Sequence, residues 1–306
     1  MIHLVSGGAG LIGSHIIDDL LRKNNKVICI DNFSTGNKKN IIKWLKDDRF
    51  KLIEQDIKKP IDLEVNRIWH FACPASPTKY KIDPINTSRT SFIGTYNMLE
   101  LAKKNNARIL IASSSEIYGN PKVHPQPESY FGYVNPISKR SCYVEGKRFC
   151  ESLALDYLRI HKTDIRIARI FNTYGPRMAP KDGRVISNFI SQAICGKPIY
   201  IYGSGDQTRS FCYVGDLIQG LKKLMDSNYN LPINLGSQEE MSILNLAKLI
   251  KKKINDKVDI VYMKELEDDP IRRQPDTDLA VKLLKWKAKT LIEDGLELTI
   301  KNFLNN

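Results

Sequence analysis

Tyr143 and Lys147 are the residues whose types and spacing could perform chemistry most directly. They lie four positions apart in a segment, 143–161, that is predicted to be a long helix, so their Cβ atoms would be about 5–6 Å apart on one face. An ammonium group beside a phenol favours the phenolate and lowers the pKa of the phenol. The pair could therefore accept a proton from a hydroxyl group. The alternative is an ordinary surface pair, because YxxxK is common by chance.

A run of three serines, Ser113–Ser115, lies some thirty residues before Tyr143. The run ends a predicted strand, 107–114, and open α/β sheets bind ligands beyond the carboxyl ends of their strands. A hydroxyl from this run could bridge Tyr143 and a hydroxyl of the substrate.

A glycine-rich turn at Gly7, Gly10 and Gly13 separates the first predicted strand from the first predicted helix. The spacing fits GxxGxxG, and with Gly8 it also fits GxGxxG. In this context the glycines allow a tight turn and a close backbone approach, and the helix N-terminus attracts a pyrophosphate. We therefore predict a dinucleotide site that includes the first helical residues, Leu11 and Ile12; the alternative is a simple glycine turn.

Asp31 ends the second predicted strand, eighteen residues after Gly13. An acidic residue at that place accepts hydrogen bonds from a ribose 2′-hydroxyl and repels a 2′-phosphate, so it favours NAD over NADP. Asp56 is a further candidate on the adenine side, and its alternative role is to cap a strand end.

The elements that must position these residues alternate between strands and helices in the first half of the chain. Strands are predicted at 2–6, 26–31, 67–72, 107–114 and 164–170, and long helices at 84–104 and 143–161. This order predicts a doubly wound α/β fold of Rossmann type, with a parallel sheet and helices on both faces.

The second half is less regular, and we expect a smaller α/β lobe there. Helices are predicted at 185–194, 214–225 and 242–254, strands at 232–236 and 259–263, a strand with a turn at 198–207, and a loop at 176–184. The predicted division is an NAD-binding domain at 1–170, to which residues of about 206–230 return, and a substrate-binding lobe formed mostly by 171–306.

Composition and charge narrow the class of protein. The 306 residues are 42% hydrophobic and carry a net charge of +13, and no apolar run reaches the roughly 18–20 residues of a membrane span. The six cysteines have no zinc-ligand spacing; with no signal peptide expected, they indicate a cytoplasmic protein, although one disulfide stays possible. The dispersed lysines favour a solvated surface over a nucleic-acid site, and their charge could also steer a polyanionic substrate.

Longer blocks carry a resemblance to a known family. They are Asp31-Asn32-Phe33, PASP (74–77), SSSEIYG (113–119), VHPQPESYFGYVNPISKRSCYVEGKR (123–148), RIFNTYGPRM (169–178), DGRVISNF (182–189), YGSGDQTRSFCYVGDL (202–217) and DDPIRRQPD (268–276). With these blocks the chain resembles the extended short-chain dehydrogenase/reductases that act on nucleotide sugars, and among them the UDP-glucuronic acid decarboxylase (UDP-xylose synthase) family.

The resemblance implies a redox-neutral decarboxylation in which bound NAD is used and returned. Tyr143 would accept the proton of the sugar 4-hydroxyl, and the resulting 4-keto group would stabilise the carbanion left by loss of CO2. No metal is implied. The resemblance also implies a homodimer that pairs through helices 84–104 and 143–161, and it assigns the nucleotide sugar to the second lobe.

Individual roles follow from the same resemblance. Ser115-Glu116 matches the decarboxylases, whereas the related dehydratases carry an acidic pair there; Glu116 could instead be a structural carboxylate. Arg273 matches an arginine near the sugar carboxylate, with a surface bridge to Asp268 or Asp269 as the alternative. The other implied substrate residues are Tyr80, Arg89, Asn97, Asn172, Arg184 and Arg209. The other implied cofactor residues are Asn32, Phe33, Ile57 and Phe71.

Two competing functions stay open. A nucleotide-sugar 4-epimerase or 4,6-dehydratase would share the glycine turn and the Tyr143–Lys147 pair. A non-catalytic NAD-binding or RNA-binding protein would use the positive charge but would have no need of Ser114 and Glu116.

Overall fold

The structure is a computed structural model that describes residues 1–265 and 270–305. Its strands are β1 (Ile2–Ser6), β2 (Lys26–Asp31), β3 (Phe50–Glu54), β4 (Arg67–His70), β5 (Arg108–Ser114), β6 (Ile165–Ile170), β7 (Thr173–Tyr174), β8 (Ile199–Tyr202), β9 (Thr208–Ser210), β10 (Cys212–Tyr213), β11 (Pro232–Leu235), β12 (Glu240–Ser242), β13 (Ile260–Met263) and β14 (Arg272–Arg273). Its α-helices are α1 (Leu11–Arg22), α2 (Pro77–Tyr80), α3 (Pro84–Arg89), α4 (Thr95–Asn105), α5 (Ser141–His161), α6 (Val185–Ile194), α7 (Val214–Asp226), α8 (Ile243–Ile254), α9 (Asp278–Leu284) and α10 (Ile292–Leu304).

A seven-stranded parallel sheet forms the centre, in the order β11-β6-β5-β4-β1-β2-β3. Successive side chains of a strand point to opposite faces, so neighbours in β1 enter different layers. Val5 packs in the cluster with α1, α7 and α9, whereas Leu4 packs with α4 and α5. The predicted doubly wound α/β fold is confirmed.

Part of the second half of the chain packs around an apolar cluster of its own. Helices α6, α8 and α10 pack with β8 around a separate apolar cluster that includes Phe189, Ile201 and Leu296. Two segments of the second half join the main sheet region: α7 packs on α1, and β11 pairs with β6. The domain boundary at residue 170 stays a prediction.

Most predicted elements lie within one or two residues of their positions in the structure, with one informative exception. The predicted helix 84–104 is interrupted by a π-helical turn, Thr90–Gly94, between α3 and α4. A π turn inserts one residue into the helical repeat, and apolar periodicity does not reveal so small a shift. The turn packs against α5, where a Cβ on Gly146 would come within 2.8 Å of the Ser91 Oγ.

Several short elements were not predicted. The strands β7, β9, β10, β12 and β14 have only two or three residues each, which is too short for an alternating pattern to be visible. One of these pairs matters for the site: β14 runs parallel to β9 and sets Arg273 opposite Arg209. No helix among the described residues is long and apolar enough to cross a membrane.

Candidate active site

The glycine turn between β1 and α1 forms a cradle with little room for side chains. Gly7 has a φ of +70°, and its amide donates to the Ile30 carbonyl at 2.8 Å. A Cβ on Gly13 would lie 2.3 Å from the Gly7 oxygen, so α1 packs directly on the turn. Gly10 gives α1 no capping side chain, and uncapped first-turn amides are suited to a phosphate. The residues present therefore fit a dinucleotide.

Asp31 lies buried at the end of β2, beside this turn. Its Oδ2 accepts from the Ala9 amide at 2.9 Å, and its Oδ1 accepts from the Phe33 amide at 2.8 Å. Burial raises the pKa of Asp31, and the two amide hydrogen bonds oppose that rise without cancelling it. Phe33 has a φ of +55° and turns the chain around the carboxylate.

The predicted adenine side is built by the residues after β3. Asp56 Oδ2 accepts from the Asn32 side chain at 3.3 Å, and its Oδ1 accepts from the Lys58 amide at 2.9 Å. Asn97 Nδ2 donates to the Ile57 carbonyl at 2.8 Å. Asn97, which the sequence placed on the substrate side, thus fixes the backbone of the adenine-side loop.

A cleft of about 440 Å³ connects these features. Its lining includes the predicted cofactor residues Gly7, Gly10, Leu11, Ile12, Gly13, Asp31, Asn32, Asp56, Ile57 and Phe71. Phe33 is outside the lining, as are Tyr143 and Lys147. The cleft therefore contains most of the residues predicted to bind the cofactor.

Arg177 forms part of the opposite wall and was not found from the sequence. It has a φ of +71°, and its Nη2 donates to Asp18 of α1 at 2.6 Å. Its Nη1 is buried and has no hydrogen-bond partner within the described residues. Arg177 lies in the block 169–178, which carries the family resemblance, but the resemblance implied no role for this residue.

Tyr143 and Lys147 lie buried on one face of α5, as their spacing predicted. Lys147 Nζ lies 5.9 Å from the centre of the Tyr143 ring and donates to the Ala112 carbonyl at 2.7 Å. Burial raises the pKa of Tyr143 more than the Lys147 charge and the Ser114 side chain lower it. Burial also lowers the pKa of Lys147, but neighbouring groups that include Cys73 and Tyr143 reverse the direction, so the ammonium form is favoured.

Tyr80 covers one face of the Tyr143 ring. Its ring stacks on that of Tyr143, and its hydroxyl is buried with no hydrogen-bond partner among the described residues. Burial raises the pKa of the Tyr80 phenol, so the neutral hydroxyl is available as a donor.

Ser114 and Glu116 occupy the turn after β5. The Glu116 amide donates to Ser114 Oγ at 3.2 Å, which fixes the serine beside Tyr143. The Glu116 carboxylate accepts from Arg140 Nη2 at 2.6 Å and from Arg273 Nη1. Burial would raise the pKa of Glu116, but Arg273 and Arg140 lower it to about 2, so the carboxylate is ionised at neutral pH.

Arg273 is 2% exposed. Its Nη2 donates to the Gly119 carbonyl at 3.0 Å. The alternative partners, Asp268 and Asp269, lie outside the described residues. Arg140, three residues before Tyr143, was not identified from the sequence, although it lies in the block 123–148.

The other implied substrate residues are dispersed. Arg209 is buried in β9 and donates to the Thr208 carbonyl at 2.8 Å. Arg184 borders the cleft and pairs with Asp182 at 3.2 Å. Asn172 is half-buried between β6 and β7, and Arg89 is exposed at the end of α3; neither residue lines the cleft.

Comparison with known proteins agrees with this geometry. Residues 4–299 match the family model for GDP-mannose 4,6-dehydratase. The UDP-glucuronic acid 4-epimerase of Bacillus cereus, solved with UDP-glucuronic acid and NAD, superposes with a TM-score of 0.89 at 28% identity, over 100% of this chain and 99% of that one.

Curated relatives are more similar in sequence. UDP-glucuronic acid decarboxylase 3 of Arabidopsis thaliana is 51% identical over 98% of this chain and 88% of its own length. UDP-glucuronic acid decarboxylase 1 of Xenopus tropicalis is 49% identical over 98% of this chain and 71% of its own. The chain belongs to the GDP-mannose 4,6-dehydratase family and, within it, to the UDP-glucuronic acid decarboxylases.

Proposed function

We propose that this protein decarboxylates UDP-glucuronate to UDP-xylose, with NAD as a bound and regenerated cofactor. The observation that carries the proposal is the buried cluster of Arg140, Glu116 and Arg273 beside Tyr143. Tyr143 could remove a proton from a sugar hydroxyl. The adjacent arginines are suited to binding a sugar carboxylate. The identity of about half to UDP-glucuronic acid decarboxylases supports the same substrate.

The side chains divide the work between proton transfer and placement. Tyr143 accepts the proton of the sugar 4-hydroxyl, with Ser114 orienting that hydroxyl. Because burial raises the pKa of Tyr143, the transfer depends on the adjacent Lys147 ammonium, which stabilises the phenolate. NAD, when bound, supplies a hydride acceptor at C4 and later a hydride donor.

Placement of the carboxylate decides the next step. With a ketone at C4, the C6 carboxylate is β to a carbonyl, and the electrons of the breaking C5–C6 bond can enter an enolate. Arg273 holds the carboxylate until CO2 leaves. Protonation at C5 and reduction at C4 then give the pentose.

A 4-epimerase is the second candidate, because the superposed Bacillus cereus enzyme is a UDP-glucuronic acid 4-epimerase. Recognition of a sugar carboxylate therefore does not separate the two activities. The dehydratase alternative is less well supported, since position 115, where an acid is expected for dehydration, is a buried serine.

The test is a product assay on UDP-glucuronate. We expect equal amounts of CO2 and UDP-xylose, with no net change in NADH. Formation of a 4-epimer without CO2 would favour the epimerase. Interconversion of UDP-glucose and UDP-galactose, with no turnover of UDP-glucuronate, would overturn the decarboxylase assignment.

We also propose a homodimer that pairs through α3–α4 and α5. Phe92 and Phe149 are 48% and 45% exposed, and their rings meet edge to face at 5.1 Å on this surface. Exposed aromatic clusters are typical of protein interfaces. Light scattering should give twice the monomer mass, and Phe149→Glu should give the monomer.

The six free cysteines support a reducing compartment, the cytoplasm.

A further inference from the structure

Arg140 contacts the active site without belonging to the catalytic pair or the glycine turn. It immediately precedes α5. Its Nη2 donates to both oxygens of Glu116, at 2.8 and 2.6 Å. Contact with both oxygens fixes the rotation of a carboxylate as well as its position.

Glu116 in turn fixes one edge of Arg273. Arg273 Nη1 donates to Glu116, and Nη2 donates to the Gly119 carbonyl. Its Nε is buried with no hydrogen-bond partner among the described residues. A buried donor without a partner costs free energy, so this N–H is left for an oxygen of a ligand.

We propose that Arg140 is a positioning residue that, by gripping Glu116, holds Arg273 with its unpaired N–H available to the carboxylate of an acidic sugar. The inference rests on the proposed function and deepens it, because it assigns recognition of the acidic group to a relay of three side chains. Arg140 acts through Glu116 and not by touching the substrate.

The pH dependence follows from the groups that face Glu116. They include Arg140, Arg273, Tyr80 and Tyr143. Burial favours protonation of Glu116, and the two arginines oppose it. Without Arg140, only Arg273 of these two arginines counteracts the effect of burial, so the pKa of Glu116 should rise. A protonated Glu116 no longer forms an ion pair with Arg273, and Arg273 is then no longer fixed in place.

The experiment compares Arg140→Met and Arg140→Lys, with Arg159→Met as the matched control. Arg159 is an arginine near the end of α5 that is 66% exposed and pairs with Asp156. KM and kcat for UDP-glucuronate are measured from pH 5 to 8. Calorimetry gives the Kd for UDP, UDP-glucose and UDP-glucuronate in each variant.

We expect Arg140→Met to raise KM about tenfold at pH 7.5, with a further loss of kcat/KM of up to about tenfold per pH unit below the raised pKa. The Kd for UDP should not change, since UDP has no sugar carboxylate. Arg140→Lys should keep the wild-type pH profile with a KM raised a few-fold, and Arg159→Met should behave as wild type.

A wild-type KM and pH profile in Arg140→Met would overturn the proposal. If that variant does not fold, an unchanged KM in Arg140→Lys does the same. Failure of the proposed function is distinguishable, because the wild type would then release no CO2. In that case, binding still tests the relay. Tighter binding of UDP-glucuronate than of UDP-glucose that is lost in the Arg140 variants would support the relay. If the wild type shows no such preference, the relay is overturned.

Discussion

The rings of Tyr80 and Tyr143 stack with their centroids 5.2 Å apart and their planes 3° from parallel. The stack fixes the plane of the Tyr143 ring and therefore the position of its phenol oxygen. It also excludes water from one face of the ring, which strengthens the effect of the nearby Lys147 charge. The position of the proposed base is thus set by a residue that lies more than sixty positions away in the sequence.

Tyr143→Phe should abolish most turnover while leaving the cofactor site intact. Phenylalanine preserves the stack on Tyr80 but removes the proton acceptor, and general base catalysis typically contributes about 10²–10⁴-fold. Release of CO2 from UDP-glucuronate and retention of NAD on the purified protein are the two measurements. Activity near that of the wild type would contradict the assignment of Tyr143 as the base.

Gly13→Ala should weaken the binding of NAD. The new Cβ would lie 2.3 Å from the Gly7 oxygen, and because that atom is backbone, the turn must move. Fluorescence titration with NADH should show the affinity reduced by at least tenfold. Gly196→Asn is the control, since nothing lies within 4 Å of a Cβ there and asparagine tolerates its φ of +64°. Equal affinities in the two variants would refute the steric argument.

Gly146→Ala should destabilise the protein, although alanine in a helix interior is normally better than glycine by about 1 kcal/mol. Its Cβ would meet the Cβ of Ser91 at 2.9 Å, so α5 would be pushed away from the π turn. We expect Ser91→Gly to restore part of the loss, with a coupling energy of about 0.5–3 kcal/mol in urea unfolding. Additive effects of the two changes would show that the contact is unimportant.

Glu116 should make stability depend on pH in the acid range. Its pKa in the folded protein, about 2, is below the ordinary value of 4.5. A depressed pKa contributes stability that is fully present above the unfolded value and is lost as pH falls through the folded value, here from about 4.5 towards 2.

The full contribution is about 3 kcal/mol, from about 1.4 kcal/mol per pKa unit. Urea unfolding of the wild type and Glu116→Gln should differ most near pH 6, and the difference should shrink on acidification. Glu297→Gln, an exposed glutamate on α10, should track the wild type throughout. A difference between the wild type and Glu116→Gln that is independent of pH would contradict the low pKa.

Local patterns predicted many of the longer elements and the candidate cofactor residues that line the cleft. The glycine turn and Asp31 follow from spacing within thirty residues, and the i, i+4 spacing put Tyr143 and Lys147 on one buried face. Arg140, Glu116 and Arg273 could not be joined in this way. Glu116 and Arg273 are 157 positions apart, and the two-residue strand that places Arg273 has no pattern of its own. Likewise, only the fold reveals that Asn97 serves the Ile57 carbonyl.

The position of β11 at the edge of the sheet has a consequence for folding during synthesis and for the design of shorter fragments. The sheet gains its last strand only when residues 232–235 pair with β6, some sixty residues after β6 ends. During synthesis, β6 is therefore an open edge while the intervening residues are translated, and unpaired edges are sites of aggregation. A fragment that ends at residue 170 would keep that edge permanently, so a dissected cofactor domain should include residues up to 235 to stay monodisperse.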